Sequence, residues 1–180
     1  NLPADQSDNL AIHSRHPIAN REVEAMFRSL LVPVDGSDYA QAALRVACRL
    51  AEPAQGTIHL LTVIEPFEPM QYGGDYRVQQ IVREAVNDNA EKEGRAILDH
   101  AVALMPDGAP KDGVQTLLRL GSPAETIIEE AERLGVDAIV MGSRGLSDIR
   151  GLLVGSVSHK VSHVAGCTVI SVHGQPHTGA

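Results

Sequence analysis

The chain has 180 residues, 43% of them hydrophobic, with 15 basic and 23 acidic residues and a formal net charge of −8. That length fits one domain with a substantial core, and no apolar run approaches the roughly 20 residues that a membrane helix needs. Basic residues spread thinly over an acidic chain argue against nucleic acid as the main partner, because a phosphate backbone calls for a concentrated basic face. A single nucleotide is not excluded, since backbone amides and a metal ion can meet its charge. The two cysteines, Cys48 and Cys167, fall in a predicted helix and a predicted strand. They read as buried free thiols of a reducing cytoplasm. With no Trp and two Phe, aliphatic side chains must fill the core.

Residues 1–25 show no sustained period, are rich in Asn, Asp, Ser, Pro and Arg, and lack the apolar core of a secretory signal. They are expected to be a mobile or loosely packed extension, with the domain over 26–174 and a polar tail at 175–180. Ser29 to Val34 is a short apolar run ended by Pro33 and the turn residues Asp35, Gly36 and Ser37, which predicts a central buried strand. The next helix carries Ala40, Ala43, Leu44, Ala47 and Leu50 on one face, and Pro53 and Gly56 stop it. Thr57 to Ile64 is the second strand, followed by a loop from Pro66 and Pro69 through Tyr72, Gly73 and Gly74. A long helix should then turn Val78, Ile81, Val82, Ala85, Ile97, Ala101 and Leu104 inward, up to Pro106.

Val114 to Leu120 is the third strand. Ser122 suits an N-cap and Pro123 a first helical position. That helix buries Ala124, Ile127, Ile128, Ala131 and Leu134 and stops at Gly135. Asp137 to Met141 is the fourth strand and Cys167 to Val172 the fifth. Strands alternating with helices predict an α/β fold, a doubly wound parallel sheet with helices on both faces.

Between the last two strands lies VMGSRGLSDIRGLLVGSVS, residues 140–158. Gly142 and Gly145 follow a strand, and nine residues later Gly155 and Ser156 open a helix. Glycines after a strand let backbone N–H groups approach an anion with no Cβ in the way. A helix start adds unpaired N–H donors and the positive end of its dipole. Together they predict a phosphate cradle.

This stretch resembles the universal stress protein family, in the ATP-binding branch marked by G-x2-G-x9-G-[S/T]. The segments FRSLLVPVDGSDYAQAAL and GSPAETIIEEAERLGVDAIVMGSRG resemble two other parts of that family, in the same order, so the likeness covers about Met26 to Val172. The resemblance implies a five-stranded sheet of order 3-2-1-4-5. The winding then reverses between strands one and four, and ligands bind outside the strand ends at such a point.

The resemblance places Asp35 at the adenine and ribose end of a nucleotide site; read alone, it is a turn or N-cap residue. Val63 matches the strand position whose backbone holds the adenine edge, although by sequence it is a core valine. Pro33, Val34 and Met141 would wall the pocket. Gly142, Gly145, Gly155 and Ser156 are assigned to ribose and phosphates, with Val157 giving a backbone N–H and Ser156 and Ser158 giving hydroxyls. Ser143 and Arg144 are within reach of phosphate, and a solvated Arg144 is an equal reading. Gly121 reads as structural. His159 and His163, at i and i+4, could chelate a metal but have no third ligand in the pattern.

The implied ligand is ATP, ADP or AMP, with Mg²⁺ or Mn²⁺ held through the phosphates. No Walker lysine follows Gly155, and no evident base is placed to activate water. The expectation is therefore a cytoplasmic nucleotide-dependent switch or adaptor rather than a fast enzyme; a slow ATPase or nucleotide-dependent transferase is the alternative. The run Cys167 to Val172, an apolar edge without Pro or Lys, is expected to pair two copies into a homodimer, strand against strand.

Overall fold

Ser29 begins a run of aliphatic residues too short for a helix of useful length and flanked by turn formers. In the computed structural model, which describes residues 27–68, 76–106, 109, 113–146 and 155–173, this run is strand β1, Ser29–Pro33. It is followed by β2 (Thr57–Ile64), β3 (Val114–Leu120), β4 (Ala138–Gly142) and β5 (Thr168–Val172). The strands form one sheet of order β3-β2-β1-β4-β5 with every pairing parallel. Central position explains why Leu30, Leu31 and Val32 are fully buried: each face of β1 is covered by helices.

The helices are α1 (Asp38–Ala51), α2 (Tyr76–Ala103), α3 (Pro123–Leu134) and α4 (Ser156–Val164). Alternation along the strands sends Leu30, Val32, Ile58, Leu60, Ala138 and Val140 into a core with α1 and the C-terminal part of α2. It sends Leu31, Leu61, Ile139 and Met141 to the other face, against α3 and α4. Ser37 caps α1, its Oγ accepting from Ala40 N at 3.2 Å. At α3, Ser122 takes the N-cap backbone position but its hydroxyl makes no cap bond. Pro123 fills the first turn, and Gly135 ends the helix in the left-handed conformation at φ 61°.

Helix α2 departs from its expected face. Val78, Ile81 and Val82 are 57%, 66% and 44% exposed, and Ala85 and Leu104 are exposed as well. Of that face only Ala101, which is buried, and Ile97, which packs against the core, turn inward, and Gly94 and Leu98 join them. The reason is length: 28 residues rise about 42 Å at roughly 1.5 Å each, whereas a strand of 8 residues spans about 26 Å. Only the C-terminal part of α2 lies over the sheet. Gly94 brings it close, since a Cβ there would stand 2.7 Å from Leu118 Cδ1 and 2.8 Å from Ile64 Cδ1.

What positions a site is the way β1 and β4 part. At their N-terminal ends Asp137 clamps them: its Oδ2 accepts from the backbone N–H of Arg28 at 2.8 Å and of Ser29 at 2.9 Å, and its own N–H donates to Ser29 O. Register pairing between the two strands covers only Leu30↔Ala138 and Leu31↔Ile139. Beyond those pairs the strands separate toward their carboxyl ends. Likewise β1 pairs with β2 only as far as Pro33↔Leu61, while β2 and β3 stay paired to Ile64↔Leu120. The sheet therefore opens at the reversal point of its winding. None of the described helices is long and apolar enough to cross a membrane. The expected extension at 1–25, the tail at 175–180 and the loop through Tyr72, Gly73 and Gly74 lie outside the described residues.

Candidate functional site

A crevice of about 230 Å³ occupies this opening. Pro33, Val34, Asp35, Val63, Met141, Gly142, Arg144, Gly145, Gly155, Ser156, Val157 and Ser158 line it. Ser143 does not. Two stretches more than a hundred residues apart in sequence thus meet at one place, the C-terminal ends of β1 and β4. Ala40, Leu61, Pro123, Ile127 and Leu146 also line the crevice and escaped the sequence reading. For Leu61 the signal was present: it shares a strand face with Val63 at i, i+2. For Pro123 and Ile127 only the packing of α3 across β2 and β4 reveals it.

The glycines permit close approach. A Cβ on Gly142 would lie 2.8 Å from Tyr39 Cβ, 2.9 Å from the Tyr39 carbonyl carbon and 2.9 Å from Arg144 O. The end of β4 is pressed onto the first turn of α1, and no side chain fits between. A Cβ on Gly145 would lie 2.7 Å from Asp35 Oδ2. Asp35 itself is a clasp. Its Oδ1 accepts from Ser37 N at 2.9 Å, and its Oδ2 accepts from Leu146 N at 3.1 Å. One carboxylate thus ties the loop after β1 to the loop after β4, mirroring Asp137 at the opposite end of the same strand pair.

Helix α4 begins at the crevice with Gly155 as its N-cap residue, and among the described residues no side chain caps it. The N–H groups of its first turn, on Ser156, Val157 and Ser158, precede the first intrahelical bond, His159 N to Gly155 O at 2.9 Å. They carry the positive end of the helix dipole into the crevice wall. Such donors, set beside a strand end stripped of Cβ atoms, suit an anion with several oxygens.

Ser143 departs from its expected role. It is fully buried and lies outside the crevice lining, and its Oγ has no hydrogen-bond partner among the described residues. Its peptide group is a junction. The N–H donates to Val172 O at 2.8 Å, and the carbonyl accepts from Gly155 N at 2.8 Å and from Ser158 Oγ at 2.8 Å. Ser158 is 2% exposed and also lies 3.1 Å from Gly155 O. Its single hydroxyl proton is therefore committed to the backbone, and its part is to hold the start of α4 against the end of β4. The Gly155 N–H is engaged in the same way. Ser156, exposed at the crevice edge, keeps its hydroxyl clear of these bonds.

Other polar clusters lie away from the crevice. Glu130 is buried between Arg133, at 2.7 Å, and Arg119, at 2.9 Å. The hydrogen bond from Arg133, with help from Arg119, outweighs burial and holds this carboxyl below the usual range. Burial lowers the His59 imidazole, with Arg133 acting in the same sense and the Gln115 side chain opposing; its Nε2 is 3.2 Å from Ser29 Oγ. Desolvation raises both thiols, Cys48 and Cys167. His159 and His163 stack at 4.3 Å between ring centroids, and His163 Nδ1 is 2.9 Å from His159 O. Among the described residues no three His, Cys, Asp or Glu side chains gather to hold a metal. Gly121 is structural: its N–H donates to Ile64 O at 2.9 Å, its φ is 149°, and a Cβ would meet Thr126 Oγ1 at 2.6 Å.

This sheet order matches known proteins. The profile of the universal stress protein family fits residues 26–173, and the chain belongs to that family. It is 36% identical over 151 residues to universal stress protein YxiE of Bacillus subtilis, covering 82% of this chain and 99% of that one. Over 147 residues it is 36% identical to a Thermus aquaticus universal stress protein, covering 82% and 99%. Among solved structures it is similar to the universal stress protein UspA from Lactobacillus plantarum, at 27% identity and a TM-score of 0.61, covering 81% and 97%. It is similar as well to a universal stress protein in complex with cAMP, at 26% identity and a TM-score of 0.52, covering 83% and 98%.

Proposed function

We propose that this chain binds an adenine nucleotide (ATP, or ADP or AMP) in the crevice between β1 and β4 and works as a nucleotide-dependent switch or adaptor. The observation that carries this reading is the uncapped first turn of α4 facing the glycine-stripped end of β4. Phosphate oxygens fit those N–H donors. The base fits the apolar walls from Pro33, Val34, Leu61 and Met141, with its polar edge along Val63, where β2 runs beyond its pairing with β1. A relative of this fold was solved in complex with cAMP, which supports the adenosine class. The described residues form no metal cage of their own, so Mg²⁺ or Mn²⁺ would enter on the phosphates, bringing charge neutralisation.

Binding is favoured over turnover because Asp35, the one carboxylate in the lining among the described residues, already accepts two backbone N–H bonds. Slow hydrolysis is the competing reading; single-turnover phosphate release abolished by Gly155→Val would support it. We place the protein in the cytoplasm as a homodimer. Strand β5 lies at a sheet edge with its residues half-buried or exposed, which suits antiparallel pairing with a second copy over Cys167 to Val172. Titration calorimetry with ATP and AMP on the natural protein, Gly142→Val and Asp35→Ala tests the site. Strong loss in both variants is expected, and equal affinity in all three overturns the assignment.

A further inference from the structure

The crevice lining contains a single cationic side chain, Arg144, among the described residues. Arg144 is half-buried, and its guanidinium turns onto Tyr39. Its Cζ stands 5.9 Å from the centroid of the Tyr39 ring, and its Nη1 donates to the Tyr39 hydroxyl at 3.4 Å. Both contacts sit at the outer edge of their useful ranges, so the arm is parked rather than locked. Tyr39 is held independently of Arg144. It lies in the first turn of α1, behind the Ser37 cap, and its backbone is pressed against Gly142. The result is an aromatic platform packed behind the glycine-stripped end of β4, carrying the guanidinium of a residue that lines the crevice together with the first turn of α4. The backbone donors are neutral dipoles, whereas the guanidinium adds a full charge with a planar fork that matches phosphate oxygens.

We infer that Arg144 on its Tyr39 platform is the element of this chain that reads how many phosphates the ligand carries, so that the site selects polyphosphorylated nucleotides over the nucleoside. This rests on the nucleotide reading above and adds a selectivity to it. The base and ribose would be held by the apolar walls and the glycine loop whatever the phosphate count. Arg144 contributes only once phosphate charge lies within its reach. Tyr39 is a positioning residue: the ring limits where the guanidinium waits and lowers the ordering cost of its capture by a phosphate.

The test measures dissociation constants for adenosine, AMP, ADP and ATP by titration calorimetry at two salt concentrations, for the natural protein, Arg144→Ala, Tyr39→Ala and Tyr39→Phe. In the natural protein affinity should climb with phosphate count, and the climb should flatten in higher salt. Arg144→Ala should weaken ATP on the order of tenfold while adenosine changes less than about twofold. Tyr39→Ala should lose part of the ATP-to-adenosine ratio, and Tyr39→Phe, which keeps the ring, should restore most of it. A merely structural role for either residue would weaken adenosine and ATP alike, which overturns the inference. So does an unchanged ratio in both Arg144→Ala and Tyr39→Ala. If the natural protein binds none of the four ligands, the nucleotide reading fails and this inference with it; if it binds them with no dependence on phosphate count, only the inference fails.

Discussion

Replacing Gly142 by Ala adds one methyl group at the tightest point of the crevice. The new Cβ would meet Tyr39 Cβ at 2.8 Å, the Tyr39 carbonyl carbon at 2.9 Å and Arg144 O at 2.9 Å. Two of those atoms are backbone, one in the first turn of α1 and one in the loop after β4, so relief requires moving main chain rather than rotating a side chain. Overpacking of this kind costs about 1–3 kcal/mol. Alanine also restricts the unfolded chain, which returns roughly 0.4–1 kcal/mol. The difference spans about 0–2.6 kcal/mol, and contacts this short on main chain place it in the upper part, about 1–2.6 kcal/mol, or a fall in Tm of roughly 2–10 °C for a chain of this size. Gly145→Ala is the control. Its Cβ meets the end of the Asp35 side chain at 2.7 Å, and a carboxylate can swing aside, so its melting loss should be smaller although the Asp35–Leu146 clasp breaks. Circular dichroism melts of the ligand-free proteins at one concentration measure both. If Gly142→Ala melts within 1 °C of the natural protein, or Gly145→Ala is the worse of the two, the close-approach argument is wrong.

Glu130 binds fewer protons folded than unfolded at mildly acid pH, because Arg133 and Arg119 hold its carboxyl low. Its contribution is present above the usual carboxylate value near 4.3 and is lost as pH falls through the lower native value. Glu130→Gln should therefore flatten the acid limb of urea-midpoint against pH. His59, lowered mainly by burial, costs stability as pH drops below about 6.5, where the unfolded chain takes up a proton that the buried ring resists. A His59→Gln variant with an unchanged slope between pH 7 and 5.5 would refute that. Along α2, Ile81→Gln should stay within about 0.5 kcal/mol of the natural protein, while Leu98→Ala should lose about 2–5 kcal/mol; urea unfolding decides, and a large loss at Ile81 would restore the expected inward face. Ser158→Ala removes the hydroxyl bond to Ser143 O and should cost about 1 kcal/mol in the ligand-free protein. No change in its melting would return Ser158 to the role of a free phosphate donor.

The strands were legible in the residues because each is a short aliphatic run between turn formers, and burial on both faces erases the alternation that would otherwise complicate the reading. Thr57–Ile64 and Val114–Leu120 agree end to end with the runs read from the sequence. Helix starts and stops were legible where local chemistry sets them, as at Pro123 and Gly135, whereas Ser37, read as a turn residue, proves to be the cap of α1. The inward face of α2 was legible only at its C-terminal part, at Ile97 and Ala101, since apolar spacing records which residues share a helix side but not how far the helix outruns the sheet beneath it. The glycine spacing marked where main chain approaches closely at Gly142 and Gly145, because a missing Cβ is a property of the residue itself. Which polar groups remain available for a ligand was decided only by the tertiary structure. The Ser158 hydroxyl and the Gly155 N–H turn to Ser143 O, and Asp35 closes on Leu146 N. Tyr39, a plain helix residue in the sequence, becomes the seat of Arg144. A hydrogen bond between residues a hundred positions apart is created by packing, and packing is what the linear order of side chains leaves undetermined.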